Sequence, residues 1–217
     1  MSGAIFLSAS VPDPQRAPEF ATTSDSVAIA AAVSALVFVA LGRRKIIWGG
    51  HPAITPMISF AAKDLNIKYN EWVTLYQSNY FKEEFPEDNS KFDNVVYTSN
   101  VGGDLKDSLV EMRTKMFSDN VFQAGVFIGG MAGIIEEQKL LKSLQPNVKI
   151  IPVLSTGGAA LQVGADEGID AEELRDDMDY VRLLHHQLEI PLDEKRYASP
   201  AEQPEDLELR RWNVGDH

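Results

Sequence analysis

The sequence predicts an α/β chain of Rossmann-like type, three layers deep with a mostly parallel sheet. Two observations carry that prediction. Short apolar runs of strand length alternate with helical segments along the chain. Three of those runs also deliver paired glycines, at Gly49-Gly50, Gly129-Gly130 and, after Ser155-Thr156, Gly157-Gly158. Strands that alternate with helices pair in parallel and are covered on both faces, so their runs read as continuously apolar.

Taken in order, Ala4–Ala9 (AIFLSA) reads as a first, central strand. A proline-containing loop leads to Asp25, a suitable N-cap for an apolar helix over Val27–Leu41, with Gly42 as its stop. Lys45–Trp48 is the second strand and Ala53–Leu65 a helix, with Pro56 in its first turn. Glu71–Gln77 and Asn94–Thr98 are strand-like, separated by a charged, aromatic surface excursion over Asn79–Asn89. In Asp104–Ser118, Leu105, Leu109, Met112 and Met116 recur at helical spacing. Gly125–Ile128 is a strand, Ile134–Leu144 a helix, Lys149–Leu154 a strand and Tyr180–Leu188 a late helix. Residues 1–190 read as one domain without an internal repeat. Residues 191–217, with Pro200 and Pro204, read as a polar tail or a partner-bound arm.

Composition limits the partners. Thirty-two acids against 20 bases give a net charge of −12, and Arg43-Arg44-Lys45 is the single basic triplet. Such a surface repels phosphate backbones, so nucleic acid is not expected as a partner. Eight of the acids lie in Asp166–Asp179 beside one arginine and read as a solvated face. The absence of cysteine excludes disulfides, zinc–thiolate sites and thiol nucleophiles. The longest apolar run, Val27–Leu41, falls short of the roughly 20 residues that cross a bilayer and reads as a buried helix. No secretory leader is visible, and the expectation is a cytoplasmic protein with no membrane partner. Adjacent residues do not share a helix face, so His185-His186 is no joint metal site, and no metal or cofactor is expected.

In a parallel sheet the three glycine turns share the carboxyl edge, where ligands bind. Glycine permits close approach, and the following helix N-termini offer N–H groups to anions. Ser8 and Ser10 end the first strand at that edge, and His51 follows the second-strand glycines. His51 reads equally as a ligand contact, a proton carrier or a plain helix-entry residue. Ser155 and Thr156 read as donors to phosphate or ribose, or as caps of the helix that follows. Glu136 and Glu137 favour the positive end of their helix, and Arg113 lies on the helix before. Trp48 closes an apolar strand and reads as core. Neither GxxxxGK[ST] nor GxGxxG occurs, which disfavours a P-loop enzyme and an ordinary dinucleotide-dependent dehydrogenase.

EMRTKM at Glu111–Met116, followed by FIGGMAGIIEE at Phe127–Glu137, resembles the signature of the LOG branch of the SLOG superfamily, the "lysine decarboxylase-like" phosphoribohydrolases, with Arg113 sixteen residues before Gly129. IFLSASVPDP, WGGHPAITP, FIGGMAGIIEE and STGGAA together are similar to the SLOG cluster-three group of bacterial conflict systems. The resemblance covers most of residues 4–165. It implies sensing of a nucleotide-derived signal, such as an ADP-ribose derivative or a cyclic nucleotide, in a self-associating protein with or without a separate effector. It also implies an alternative, hydrolysis of a nucleotide N-glycosidic bond, with Arg113 and either Glu136 or Glu137 in the catalytic roles and Gly129, Gly130, Met131 and Gly133 at the phosphate. Glutamate would then stabilise the oxocarbenium-like centre or activate water. The sequence departs from the LOG pattern at two points. Ile128 replaces the proline before the glycines, and the threonine of the GT pair is missing, which weakens the hydrolase reading more than the binding one.

Overall fold

The computed structural model describes residues 3–51, 54–62, 65, 67–85 and 87–212. Its elements in chain order are β1 (Ala4–Ser10), α1 (Pro18–Ala21), α2 (Ser26–Ala40), β2 (Ile46–Trp48), α3 (Thr55–Ala62), α4 (Tyr69–Trp72), β3 (Val73–Ser78), β4 (Asn94–Thr98), α5 (Leu105–Asp119), β5 (Phe122–Gly129), α6 (Ala132–Leu144), β6 (Lys149–Val153), α7 (Ala159–Glu167), α8 (Glu172–Asp176) and α9 (Tyr180–Gln187). The strands form a six-stranded sheet in the order β4-β3-β2-β1-β5-β6, with every neighbouring pair parallel. The α/β Rossmann-like expectation therefore holds. The chain winds outward from β1 to β4, then crosses back to β5 beside β1, so the direction of winding reverses between β1 and β5.

Alternation along the strands fixes two cores. On β1, Ile5 and Leu7 face α2 and α9, whereas Phe6 turns to the other side and packs edge-on against Phe117, Phe122 and Phe127. The helix α2 is buried along most of its length, with Ile29, Val33, Leu36, Val37 and Val39 inaccessible to solvent. That explains why so apolar a run occurs in this chain, and among the described residues no helix is long and apolar enough to cross a membrane. Asp25 caps it as the sequence suggests, accepting from the Val27 and Ala28 amides at 2.8 and 3.0 Å.

Boundaries shift where tertiary packing overrides local pattern. Glu71 and Trp72 belong to α4 rather than to β3, because Trp72 buries its ring beside the C-terminal segment and donates its indole N–H to the Ala198 carbonyl at 3.3 Å. The expected helix over Ala53–Leu65 is seen as α3. Ala53, Lys63 and Asp64 lie outside the described residues. The segment from Pro191 to Trp212 has little regular structure, yet it packs on the domain. Tyr197 N–H bonds the Gly42 carbonyl, Gln203 reaches the Arg43 carbonyl, and Glu194 and Arg210 are buried.

Burial also sets a pH response. His185 on α9 bonds the Ile190 carbonyl through Nδ1 at 2.8 Å. Desolvation, reinforced by the charges of Arg43 and Arg196, holds its imidazole below the ordinary 6.5, although the Ile190 bond and Glu194 oppose this. In the window between that lowered value and 6.5 the unfolded chain binds more protons than the folded one. The stability linked to His185 is thus complete above 6.5 and is lost as pH falls through the folded value. The unfolding midpoint is expected to drop between about pH 7 and about pH 5, and His185→Gln to drop less over the same range. Parallel pH profiles for the two proteins would refute the assignment.

Candidate functional site

The reversal of winding falls at the carboxyl ends of β1 and β5, where Ser10 pairs in register with Gly129 and where open parallel sheets characteristically form a ligand crevice. Two residues back along β1, Ser8 points to the Phe6 side of the sheet, towards α5 and α6. Arg113, on α5, is 6% exposed, because the helix turns this position inward beside Met112 and Met116. Its guanidinium donates from Nη1 to Glu136 Oε2 at 2.6 Å, from Nε to Glu137 Oε1 at 3.2 Å and from Nη2 to the Gly133 carbonyl at 3.3 Å. The Ser8 hydroxyl closes the network by donating to Glu137 Oε2 at 2.5 Å. Arg113, Glu136, Glu137, Gly133 and Ser8 are therefore brought together.

The two acids differ in environment. Glu137 has 15% of its side chain exposed and both oxygens engaged, whereas Glu136 is 63% exposed. Two carboxylates share one guanidinium, so the network has an excess of negative charge next to the positive end of α6. Gly133 has a geometric reason to lack a side chain, since a Cβ there would lie 3.2 Å from Arg113 Nη2. Chemically the group can orient a cationic or hydroxyl-bearing ligand through Glu136. A reaction using Glu137 would first have to loosen its bonds to Ser8 and Arg113.

The paired glycines act differently from the expectation that their amides face an anion. The Gly129 N–H donates to Thr156 Oγ1 at 2.8 Å, Gly130 N–H to the Ser10 carbonyl at 2.8 Å and Gly158 N–H to Thr23 Oγ1 at 3.2 Å. Ala159 N–H bonds the Gly130 carbonyl at 2.9 Å. The turns after β5 and β6 are thus stitched to each other and to the loop after β1. Gly157 shows why glycine is needed: its φ is +68°, and a Cβ would stand 1.9 Å from the Thr23 carbonyl oxygen. Gly50, at φ +67°, is similarly crowded by the Gln77 side-chain amide, while Gly49 rests near the Met112 methyl group. The first turn of α6 follows the β5 turn directly, with Met131 as the N-cap and no side chain capping the helix.

The other expected residues are distributed around this edge. His51 ends the β2 turn, and its carbonyl accepts from the Ile54 and Thr55 amides. Desolvation lowers its pKa, and the charge of Arg16 adds to the effect. Thr156 is wholly buried and holds the Gly129 turn. Ser155 turns away, its hydroxyl 3.2 Å from Tyr180 Oη. Three contributors escaped the sequence reading: Thr23, which ties the first loop to Gly158, Gln77, which fills the space over Gly50, and Arg16, an exposed cation close to His51. Arg16 lies in the loop directly after β1, the place where a crevice cation was to be sought. Among the described residues no cluster of His, Asp and Glu suited to a metal ion occurs.

The chain matches the model of a family described as the SLOG cluster3 family over residues 19–188. The match spans α1 to the end of α9 and includes Arg113, the α6 turn and both later glycine pairs. No curated protein and no solved structure matches the chain.

Proposed function

The chain belongs to the SLOG cluster3 family, and from that premise we propose that it binds a nucleotide-derived ligand in the crevice between β1 and β5. One observation carries this reading. At the point where the winding reverses, the first turn of α6, uncapped by any side chain, is bonded through the Gly133 carbonyl to the buried Arg113–Glu137–Ser8 network. Uncapped helix amides suit a phosphate. Glu136, mostly solvated, suits ribose hydroxyls. Exposed Arg16, whose charge is felt at His51, supplies a cation in the loop after β1. An elongated ligand with phosphates and ribose, of the ADP-ribose or cyclic-nucleotide type, fits that distribution of groups. In this reading the protein is a cytoplasmic sensor in a bacterial conflict system, self-associating, with or without a separate effector.

The engagement of both Glu137 oxygens favours binding over cleavage. The convergence of both acids on Arg113 supports a second reading, hydrolysis of a nucleotide N-glycosidic bond, in which Glu136 or Glu137 faces the developing positive charge. Calorimetric titration with ADP-ribose, cyclic dinucleotides and nucleoside monophosphates, with chromatography of each mixture for released base, separates the two. Binding without base release supports the sensor. Base release that Glu136→Gln or Glu137→Gln removes supports the hydrolase. Silence with all three ligand classes would overturn both.

A further inference from the structure

The opposite edge of the sheet carries a cleft. Ala4 opens β1 and Lys45 immediately precedes β2, and beside them the C-terminal segment encloses a cleft of about 470 Å³. Arg43, Arg44, Lys45 and Arg210 line it, with Trp72 and the single carboxylate Glu205. Such a concentration of cations stands out in a chain whose net charge is −12. Behind the cleft lies Glu194, which Arg44 grips through both terminal nitrogens at 2.5 and 3.0 Å, with an Arg210 nitrogen 4.0 Å away.

Anchoring of the C-terminal segment accounts for part of this arrangement. Arg43 donates to the Glu194 and Val39 carbonyls, and Arg210 to the carbonyls of Pro204 and Glu205. Carbonyls satisfy donors but leave the positive charge uncompensated. The surplus is felt nearby: Arg196, which donates to the Leu41 carbonyl, is pushed down to about 10 by burial and by the charge of Arg43. Anchoring also fails to explain Arg44 Nε. This atom is buried on a side chain 5% exposed and has no hydrogen-bond partner, and Arg44 is one of the residues that line the cleft. A buried guanidinium N–H left unmade is costly, and it remains unmade although Glu194 already balances the charge of Arg44.

We propose that this cleft is an anion site for a compact phosphate-bearing ligand, separate from the crevice at the carboxyl edge. Its volume lies in the range of small-molecule sites, about 300–1,000 Å³. The arginines are held in fixed orientations by carbonyls and Glu194, so their charge is set in place at the cleft wall, while exposed Lys45 can meet a phosphate oxygen directly. A small anion meets the local positive field at the cleft, whereas an extended polyanion would also meet the acidic surface around it.

The probe is sodium pyrophosphate, titrated calorimetrically into the full chain at constant ionic strength. Binding at one site per chain is expected. Lys45 is exposed, so Lys45→Glu leaves the fold intact and should weaken binding by roughly tenfold, the scale of one hydrogen bond to a charged group. Glu205→Gln removes the carboxylate from the lining and should tighten binding. No binding to the wild-type chain would overturn the proposal, and so would binding that neither substitution alters.

Discussion

Replacing Arg113 by alanine is expected to lower stability by on the order of 3 kcal/mol and to abolish nucleotide binding in the crevice. The stability effect follows from burial. Removing the guanidinium leaves Glu137 largely enclosed beneath β1 with only Ser8 as partner, and unties α5 from α6. The figure lies at the lower end for breaking a buried pair, because Glu136 is mostly solvated and loses little. The binding effect follows because Arg113 bonds the Gly133 carbonyl and both acids, and so fixes the first two turns of α6. Arg113→Lys keeps the charge but cannot span three acceptors, and should recover part of the stability with little of the binding. Chemical denaturation and calorimetry on both variants test this. An alanine variant of wild-type stability would contradict the role assigned to the network.

Glu194→Ala should destabilise the chain by about 4 kcal/mol, since it strands buried arginine charge without a counter-ion. Glu194 is 2% exposed and is the carboxylate that Arg44 grips and Arg210 approaches. At this chain length such a loss corresponds to a fall of roughly 10 °C in Tm. It should also release the segment after Pro191, whose backbone is tied to the domain through Arg43, Gly42 and Trp72. Limited proteolysis reads this directly: cleavage between residues 191 and 212 should accelerate in the variant. Unchanged Tm together with unchanged cleavage would mean that the ion pair contributes nothing to holding the segment.

The central elements were legible because their signals are local. Asp25 caps its helix through amides two and three residues away, and the alternation on β1 depends on neighbours only. The resemblance singles out Arg113 with either Glu136 or Glu137, and that both acids meet the arginine needed the fold. Distant pairings were not legible. Thr23 lies 135 residues from Gly158, so nothing near either glycine pair revealed that its amides were already bonded. Glu194 and Arg44 are 150 residues apart, and a polar stretch with two prolines resembles a solvated tail until that pairing is known. The basic triplet Arg43-Arg44-Lys45 was visible in the sequence, but its burial under the C-terminal segment was not.

The most direct test of the account is a crystal structure of the chain grown with whichever nucleotide-derived titrant binds. The account predicts ligand density between β1 and β5, with a phosphate at the first turn of α6 and a ribose hydroxyl within reach of Glu136. Density elsewhere, with the crevice empty and the Arg113–Glu137–Ser8 contacts unchanged, would contradict it.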